Sequence, residues 1–397
     1  MRIAGIIAEY DPFHKGHAYH IAKTKEFSDA VVVVLGGEFT QRGEPAWCSK
    51  SLRTRCALAC GADLVLELPA YYALGSAERF AMGGVSVLSA LGCVDVLSFG
   101  SESGSGENIM RFAEVSDSPE FLEEVKKRHK AGVSAPAARL LAAEALCPEL
   151  SYLCKSPNDT LGTEYCKWLL RFGGKIEPAA VFRRGALHGE APRKNGFASA
   201  SFLRSLSKLA EALPYLPQEI RSMIIEEYSA GRLPVLREKY EAAALSRIRM
   251  MSEEDFSLLP DCFAEGLYHR VYAASRRAGT LDGLYSAIKT KRYTMSRIKR
   301  IAAAAAVGLK ESVFSGGELP YVRILGMNKT GAQILRAAKE ANTGIPIGSS
   351  LAELSKTSER AAAFAAAESA AEDLWQLCLK IPGECGKAFT EKLIVTE

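Results

Sequence analysis

The chain opens with short apolar runs that alternate with longer helix-like stretches. Four of these runs are rich in β-branched side chains and are bounded by glycine or polar residues, which is typical of buried parallel strands: Ile3–Ala8, Ala30–Leu35, Ala62–Leu66 and Val94–Phe99. The stretches between them have the composition and length of helices: His17–Phe27, Ser49–Cys60 and Ser76–Leu91. Strands that alternate with helices predict an α/β fold, in which a Rossmann-like, doubly wound parallel sheet carries helices on both faces.

Beyond the first hundred residues this alternation continues and then stops. A charged helical stretch at Glu120–Lys130 and an alanine-rich one at Ala135–Leu146 look like an insertion or lid on the sheet. A further strand is predicted at Ile176–Phe182. From about Leu213 onwards Ala, Leu, Glu, Lys and Arg dominate, as in packed helices, apart from one possible strand or turn at Tyr321–Lys329.

The length and the loops together predict two domains and one ligand crevice. A chain of 397 residues exceeds the usual size of a single core, so we expect an α/β domain over residues 1–210 and a mainly α-helical domain over residues 211–397. In a doubly wound sheet, ligands bind beyond the carboxyl ends of the strands. Three loops begin at such ends and are expected to converge there: His14–His17, Gly36–Glu44 and Gly100–Gly104.

Composition narrows the class of protein. A hydrophobic content of 48% supports full-sized cores, while a net charge of +4 is too small to mark a nucleic-acid binder by itself. The ten cysteines are scattered singly, which predicts free thiols in a reducing cytoplasm and no resident metal; Cys56 and Cys60, one helical turn apart, are interpreted as packed side chains. No apolar stretch is long enough for a bilayer, and the N-terminus lacks the pattern of a targeting segment.

Two histidines at the first strand-to-helix turn are the strongest candidates for chemistry. His14 and His17 lie three positions apart around Gly16, so both imidazoles can face one side of the first helical turn, whose N–H groups attract anions. Their hydrogen bonds would stabilise phosphate oxygens that gain charge when a nucleophile displaces pyrophosphate, without a covalent intermediate. His20, one turn later, either supports the helix or contacts the phosphate.

Each of the other candidate residues can either bind a ligand or have a purely structural role. Arg183 and Arg184 follow a strand and can clamp phosphates bidentately, or form a surface pair. The amide of Asn158 suits a nucleobase or ribose edge, or an Asx turn. Gly100 lets the backbone approach a flat ligand such as adenine, or simply ends a strand. The hydroxyls of Ser199 and Ser201 can face phosphate or cap a helix.

Several blocks of sequence, taken together, resemble a known family. The motif His14-Lys15-Gly16-His17 after a first strand resembles the HxGH nucleotidyltransferase superfamily, which also includes the cores of class I aminoacyl-tRNA synthetases. Five blocks in one order resemble the tRNA(Met) cytidine acetate ligases more specifically: residues 9–17 (EYDPFHKGH), 41–46 (QRGEPA), 61–69 (GADLVLELP), 97–102 (LSFGSE) and 156–159 (SPND). The chain departs from that family's common pattern at Asp11, Lys15, Glu38 and Thr163.

The resemblance implies ATP-dependent activation of acetate to acetyl-adenylate with release of pyrophosphate. The acetyl group then passes to the wobble cytidine of elongator tRNA(Met), forming N(4)-acetylcytidine, and Mg²⁺ would assist the departure of pyrophosphate. It implies that residues 1–210 are the catalytic domain, with His14, His17 and Arg183 as catalytic residues. It places ATP against Ile7, Ala8, Glu9, Tyr10, Asp11, Pro12, Phe13, His14, Lys15, Gly16, His17, Ala18, Tyr19, His20, Gly100, Asn158, Arg183 and Arg184.

A basic stretch in the second half is the best candidate for contact with tRNA. Residues 289–300 carry six cations and one aromatic side chain with no acid. Such cations release counterions from an RNA backbone, and an aromatic ring can stack on a splayed base; a solvated helix face is the alternative. The predicted tRNA-binding residues are Lys289, Lys291, Arg292, Tyr293, Arg297, Lys299 and Arg300.

Two other functions remain open from the residues alone. One is a small-molecule adenylyl- or cytidylyltransferase, which joins a nucleotide to a metabolite phosphate and would not need the helical half with its basic stretch. The other is a non-catalytic, ATP-responsive RNA-binding protein. Acetate-dependent release of pyrophosphate would separate both from the ligase.

Overall fold

A computed structural model of the chain describes residues 1–173, 175–183, 196–263, 266–315 and 318–397. Arg184, one of the predicted phosphate ligands, lies outside the described residues. The strands are β1 (Ile3–Ala8), β2 (Ala30–Gly36), β3 (Leu64–Leu68), β4 (Val96–Ser101), β5 (Glu177–Phe182), β6 (Val322–Met327), β7 (Ile347–Gly348) and β8 (Ile394–Val395).

Helices form most of the remaining chain, and hydroxyl side chains begin many of them because they accept the free N–H groups of the first turn. Ser49, Ser76 and Thr294 each accept from the N–H three residues later. The helices of the first half are α1 (Lys15–Thr24), α2 (Lys50–Ala59), α3 (Ala70–Ala73), α4 (Ala77–Leu91), α5 (Gly106–Ser116), α6 (Pro119–Lys130), α7 (Ala135–Leu146), α8 (Pro157–Arg171) and α9 (Ala200–Ser205).

The second half is mainly helical, as predicted. Its α-helices are α10 (Leu209–Ala212), α11 (Gln218–Ser229), α12 (Arg237–Met250), α13 (Glu253–Ser257), α14 (Leu267–Ser275), α15 (Leu281–Ile288), α16 (Met295–Val307), α17 (Glu311–Phe314), α18 (Lys329–Ala341), α19 (Leu351–Leu354), α20 (Glu359–Leu377) and α21 (Lys387–Thr390). Short 3₁₀ helices cover Pro148–Lys155 and Leu213–Tyr215.

The central sheet has the strand order β5-β4-β1-β2-β3-β6. Every pair from β5 through β3 is parallel, which confirms the predicted Rossmann-like sheet. From β1 the chain moves outward to β2 and β3, then returns to the other side of β1 for β4 and β5. The order therefore reverses between β1 and β4, and ligands of such sheets bind in the crevice at this reversal.

The five strands predicted in the first half are present, but β3 and β4 each begin two residues later than predicted. An aspartate side chain precedes each start. Oδ2 of Asp63 accepts the N–H of Val31 at 2.8 Å, and Oδ2 of Asp95 accepts the N–H of Ile3 at 2.7 Å. Because these carboxylates bind the first residues of the neighbouring strands, the ladder itself begins only after them.

A strand from the second half extends the sheet. The possible strand at residues 321–329 is β6, which pairs with β3 in the antiparallel direction, and the short strands β7 and β8 pair with β6. Oε1 of Glu67, on β3, lies 2.5 Å from Nζ of Lys50 and 3.4 Å from Nη1 of Arg323, on β6. Burial opposes the charge on Glu67, but the two cations outweigh it and hold the pKa of Glu67 below its ordinary value.

The two halves also share a hydrophobic cluster that runs from Ile3 to Ala388. The side chain of Trp375, on α20, is 1% exposed and donates from Nε1 to the carbonyl of Ala46 at 2.8 Å, behind the loop that follows β2. The domain boundary at residue 210 stays a prediction. Residues on both sides of it contribute to one sheet and one hydrophobic cluster.

The described residues can be compared with the predictions about membrane spans, metal sites and cysteines. In the described ranges no helix has both the length and the apolar character to cross a membrane, and no group of three His, Cys, Asp or Glu side chains is arranged to hold a metal ion. All ten cysteines lie in described ranges and have free thiols. Burial raises the pKa of Cys56 and Cys60 to about 12, which suits packed side chains.

We expect Glu67→Gln to destabilise the protein strongly. The exchange keeps the shape of the side chain but removes the buried carboxylate that Lys50 and Arg323 share, leaving Glu372 at 4.0 Å from Lys50 and Glu391 at 3.5 Å from Arg323. Removal of one partner of a buried ion pair costs about 3–5 kcal/mol. Urea unfolding measures the change. Glu177→Gln is the control, because Glu177 pairs with Arg2 at side-chain exposures of 72% and 53%, where an ion pair contributes at most about 1 kcal/mol. Equal losses in both variants would contradict this assignment.

Candidate active site

An open cavity of about 410 Å³ lies at the carboxyl edge of the sheet, beside the reversal of strand order. The ends of β1, β4 and β5 line it, together with the first turns of α1 and α8. Thirteen of the predicted ATP-binding residues line this cavity: Ile7, Ala8, Glu9, Tyr10, Asp11, His14, Gly16, His17, Tyr19, His20, Gly100, Asn158 and Arg183. The crevice predicted from the three loops is therefore present.

Four predicted ATP-binding residues do not line the cavity: Pro12, Phe13, Lys15 and Ala18. Phe13 is 1% exposed and packs in a hydrophobic cluster beneath the turn. Lys15 and Ala18 lie on α1, where successive residues point in different directions. The resemblance assigned the whole segment to ATP, whereas a turn followed by a helix presents only part of its residues to one side.

His14 and His17 form a reciprocal cap at the start of α1. Nδ1 of His14 accepts the N–H of Gly16 at 3.0 Å, and Nδ1 of His17 accepts the N–H of His14 at 3.3 Å. Their rings stack with centroids 3.7 Å apart and planes 21° apart. Because each Nδ1 is an acceptor, a neutral ring carries its proton on Nε2, so both histidines keep an N–H donor for a ligand.

Burial keeps these rings neutral. Desolvation, aided by the positive charge of Arg183, lowers the pKa of His14 to about 3, and desolvation together with His14 holds the pKa of His17 well below its usual value. Desolvation also lowers the pKa of His20 to about 4. The cavity therefore presents neutral hydrogen-bond donors at physiological pH.

The glycine between the histidines is required by their packing. A Cβ atom on Gly16 would lie 2.8 Å from Cε1 and 3.0 Å from Nδ1 of His14. Any larger residue would push the His14 ring away from the N–H that it accepts. The close neighbour of Gly16 is therefore the His14 ring itself.

Arg183 is held at the cavity by two other lining residues. Its Nη1 donates to Oδ1 of Asn158 at 3.1 Å, and Nδ2 of Asn158 donates to Oε1 of Glu102 at 2.5 Å. A Cβ on Gly100 would lie 3.3 Å from Cγ of Arg183, so the glycine leaves room for the arginine stem. Both polar ends of the Asn158 amide are thus bonded to protein, and the amide links Arg183 to Glu102.

Acidic and basic side chains meet at the other end of the cavity. Oε1 of Glu9 accepts the N–H of Gln41 at 2.5 Å, and burial raises the pKa of Glu9. Oδ1 of Asp11 accepts the N–H of Trp47 at 2.6 Å, and Nη1 of Arg204 lies 3.4 Å from Oδ2 of Asp11. These bonds join the end of β1 to the loop after β2 and to α9.

Three further candidate residues, His20, Ser199 and Ser201, are bonded to other protein groups. Nε2 of His20 is 3.0 Å from Oγ of Ser98, so this ring is tied to β4. Ser199 accepts the N–H of Phe202 and caps α9, and its hydroxyl is 3.2 Å from that of Ser201. Both serines line the cavity.

Sequence reasoning missed several lining residues: Gln41, Arg42, Glu102 and Arg204. The first three stood in blocks that carry the family resemblance, at loops after strand ends, and this position was the available signal for them. Arg204 had no such signal, because it reaches the cavity only through the packing of α9 against residue 11.

The basic stretch is largely committed to contacts within the protein. The ring of Tyr293 is 8% exposed and lies 5.5 Å from the guanidinium of Arg297, which donates to the carbonyl of Asp261. Stacking of Tyr293 on a splayed base conflicts with this burial. Lys289 and Lys291 are exposed, whereas Arg300 is 8% exposed.

The same stretch contacts the rim of the cavity. Nζ of Lys299 lies 2.5 Å from Oε1 of Glu44, in the loop whose residues Gln41 and Arg42 line the cavity. In the same loop Gly43, at φ +75°, lies so close to α16 that a Cβ would be 2.4 Å from the backbone N of Arg300. The basic helix therefore abuts the active-site loop directly.

Known proteins resemble this chain over nearly its full length. The HIGH Nucleotidyl Transferase family model matches residues 1–387. The tRNA(Met) cytidine acetate ligase of Acetivibrio thermocellus is 35% identical over 416 residues, covering all of both chains. That of Caldicellulosiruptor saccharolyticus is 39% identical over 350 residues, covering 86% of each.

Solved structures agree with these relatives. Thermotoga maritima TmcAL, in a crystal structure bound with alpha-thio ATP, superposes with a TM-score of 0.90 at 28% identity, and the match covers all of both chains. Its apo form superposes with a TM-score of 0.92 at 29% identity. The likeness therefore includes the helical half as well as the sheet.

The buried His14 should make stability depend on pH. An unfolded histidine has a pKa of about 6.5 and binds a proton that folded His14 does not bind. The contribution is present above pH 6.5 and is lost as the pH falls towards the folded value of about 3. We expect His14→Asn, which retains an N-cap acceptor, to reduce the slope of unfolding free energy against pH, between pH 6 and 4, by up to one proton, about 1.4 kcal/mol per pH unit. Urea unfolding at several pH values measures it; equal slopes would show that His14 titrates normally.

Proposed function

The chain belongs to the HIGH nucleotidyl transferases and, among them, to the tRNA(Met) cytidine acetate ligases, and we propose how its own residues perform that reaction. It is an ATP-dependent ligase that activates acetate as acetyl-adenylate, releases pyrophosphate and acetylates the wobble cytidine of elongator tRNA(Met) to N(4)-acetylcytidine. The observation that carries the proposal is the pair of neutral, capped histidines at the reversal of strand order.

The first step joins acetate to the α-phosphorus of ATP. A carboxylate oxygen of acetate forms a bond to phosphorus while the bond to pyrophosphate breaks, and the phosphoryl oxygens carry the negative charge of the transition state. The Nε2–H groups of His14 and His17 donate to these oxygens. Because both rings are already neutral donors held by backbone bonds, they stabilise the charge without reorganising and without transferring a proton.

Arg183 supplies the positive charge of the same step. Its guanidinium remains charged at any working pH and can bind two phosphate oxygens at once. The hydrogen bond that Arg183 donates to Asn158, which itself donates to Glu102, restricts the guanidinium to one side of the cavity. Arg184 is proposed to assist it, as the sequence resemblance implies.

The adenosine is proposed to contact the apolar residues of the cavity wall. Phe99, Leu161 and Val181 line the cavity beside Gly100, and apolar side chains of this kind suit the faces of an adenine ring. We therefore place the adenosine across the ends of β4 and β5 and the triphosphate towards the first turn of α1, where the backbone N–H groups favour anions.

Magnesium fits this cavity only as an ion that arrives with the triphosphate. Mg²⁺ usually keeps phosphate and water ligands and takes one or two carboxylates from the protein. Asp11 and Glu102 accept hydrogen bonds from backbone and side-chain donors. Among the described residues, Glu9 uses only one of its carboxylate oxygens, to accept the N–H of Gln41. Glu9 would hold the ion, which when bound supplies positive charge at the departing pyrophosphate.

The second step needs tRNA at the rim of the cavity. The amine of the cytidine attacks the acetyl carbon, AMP leaves, and one proton is lost from nitrogen. Exposed cations in the basic stretch, Lys289 and Lys291, are proposed to bind the tRNA backbone, and the contact of Lys299 with Glu44 joins this stretch to the cavity loop. A tRNA substrate and ten free thiols both fit the cytoplasm.

The two alternative functions are less well supported. A small-molecule nucleotidyltransferase does not need a helical half that contacts the cavity loop. The similarity to the relatives extends across that half. A non-catalytic ATP-responsive protein would not need two histidines fixed as donors. Incubation with ATP, labelled acetate and a mixed tRNA pool tests all three: acetylcytidine confined to elongator tRNA(Met) supports the ligase, and acetate-independent nucleotide transfer to a small phosphate contradicts it.

We expect His14→Ala and His17→Ala each to slow acetate activation severely. Loss of one preorganised donor to a developing oxyanion costs about 100- to 1,000-fold in rate, and the alanines also remove the cap of α1. Acetate-dependent exchange of pyrophosphate into ATP measures this step. His129→Ala, on α6 away from the cavity, is the control. If both variants kept at least a tenth of the wild-type exchange rate, the histidines would not contact the reacting phosphate.

We expect Lys291→Gln to weaken tRNA binding without changing acetate activation. One phosphate contact fewer should reduce the slope of log Kd against log salt concentration by about 1, whereas the cavity residues stay in place. Filter binding at several salt concentrations measures the slope, and pyrophosphate exchange is the internal control. An unchanged slope would show that Lys291 does not contact a tRNA phosphate.

A further inference from the structure

Three residues between α1 and β4 form a closed circuit of hydrogen bonds. Nε2 of His20 lies 3.0 Å from Oγ of Ser98, and Oγ of Ser98 lies 2.7 Å from Oγ1 of Thr24. Oγ1 of Thr24 in turn lies 2.9 Å from the carbonyl oxygen of His20. Ser98 and Thr24 are both 0% exposed. Each contact in the circuit therefore needs a proton from one of these three residues.

One placement of the protons gives every contact its donor. The carbonyl of His20 can only accept, so the single hydroxyl proton of Thr24 points to it. Ser98 must then donate to Oγ1 of Thr24, and with its own proton used in this way it can only accept from Nε2 of His20. Burial lowers the pKa of His20 to about 4, so the ring is neutral at physiological pH. Its one N–H is on Nε2, and Nδ1 carries a lone pair.

This lone pair faces the cavity. His20 lines the cavity, while its Nε2 points to the buried Ser98. Of the described residues, none donates a hydrogen bond to Nδ1 of His20, and this atom is not buried. The arrangement is the reverse of that in His14 and His17, whose Nδ1 atoms accept backbone N–H groups and whose Nε2–H groups remain for a ligand. The third histidine of the motif thus offers an acceptor where the first two offer donors.

An imidazole lone pair repels phosphate oxygens and attracts a hydrogen-bond donor. ATP carries donors in two places, the ribose hydroxyls and the adenine amine. His20 follows His17 by one turn of α1, a rise of about 4.5 Å along the helix axis. Only O5′ and C5′ separate the α-phosphorus from the ribose ring, whereas the adenine amine lies at the far end of the base. With the α-phosphate at His17, the ribose is the part of ATP within reach of His20.

The sheet places His20 beside the strand ends proposed to hold adenosine. Ser98 and Gly100 lie two positions apart on β4 and therefore face the same side of the sheet. Gly100 pairs with Val181 on β5, and both residues line the cavity. His20, held by Ser98, is consequently on the same side of the sheet as this part of the cavity wall.

We propose that Nδ1 of His20 accepts a hydrogen bond from a ribose hydroxyl of ATP, and that this bond favours ribonucleotides over deoxynucleotides. The proposal rests on the function proposed above, in which ATP is the substrate. Ser98 and Thr24 are positioning residues, because they hold the proton of His20 on Nε2 and so keep Nδ1 free to accept. The bond costs no proton transfer, since the ring enters and leaves the reaction neutral.

Equilibrium binding of ATP, 2′-deoxy-ATP and 3′-deoxy-ATP tests this contact. We expect the wild type to bind one of the two deoxynucleotides about 2- to 12-fold more weakly than ATP, the effect of one neutral hydrogen bond. His20→Phe keeps a planar ring without the acceptor and should bind all three nucleotides equally. His20→Asn has an amide oxygen near the position of Nδ1 and should restore part of the preference. His129→Phe, on α6 outside the cavity lining, is the matched control and should behave like the wild type.

The proton on His20 can be observed directly. The ¹⁵N chemical shifts of its ring, assigned by comparison with His20→Phe, should show a protonated Nε2 and an unprotonated Nδ1. A protonated Nδ1, equal binding of all three nucleotides by the wild type, or a preference that survives in His20→Phe would each overturn the ribose contact. Wild-type protein that prefers ATP over a deoxynucleotide but shows no acetate-dependent pyrophosphate exchange would instead overturn the proposed function and leave the ribose contact in place.

Discussion

A single buried guanidinium joins the chain segments that follow β1 and β2. Arg53 is 1% exposed; its Nη1 donates to the carbonyls of Glu9 and Gly36 at 2.7 and 2.9 Å, its Nη2 to Gly37 at 2.5 Å, and its Nε to Cys48 at 3.1 Å. These carbonyls lie where β1 and β2 end and separate, so no neighbouring strand can satisfy them. An unsatisfied buried carbonyl costs about 1–3 kcal/mol, so this arginine stabilises the place where the two strands separate.

The two histidines satisfy the backbone at the start of α1 in a similar way. Once β1 ends and the chain turns into α1, the first N–H groups of the helix need acceptors. His14 and His17 provide them with Nδ1, and the same bonds leave Nε2–H for a phosphate. Burial, which would be costly for a charged ring, keeps both rings in the neutral form that donates without exchanging a proton. In the proposed reaction, folding and catalysis therefore use opposite nitrogens of the same side chains.

The helical half is joined to this site through charge as well as packing. Arg323, from β6, shares the carboxylate of Glu67 with Lys50, whose own helix carries Arg53. On the other side of the loop, Lys299 binds Glu44. The loop that lines the cavity is thus in direct contact with the helical half.

The order of strands and helices in the first half, the two-histidine turn and the mainly helical second half could be predicted from the sequence, because hydrophobic period, caps and turn residues act over a few neighbouring positions. Most of the cavity could be located as well, since parallel strands end at one edge. The bond between Asn158 and Arg183, the contact of Arg204 with Asp11 and the burial of Tyr293 became visible only in the folded chain. These facts depend on contacts between residues as far apart as 193 positions, which no local pattern records.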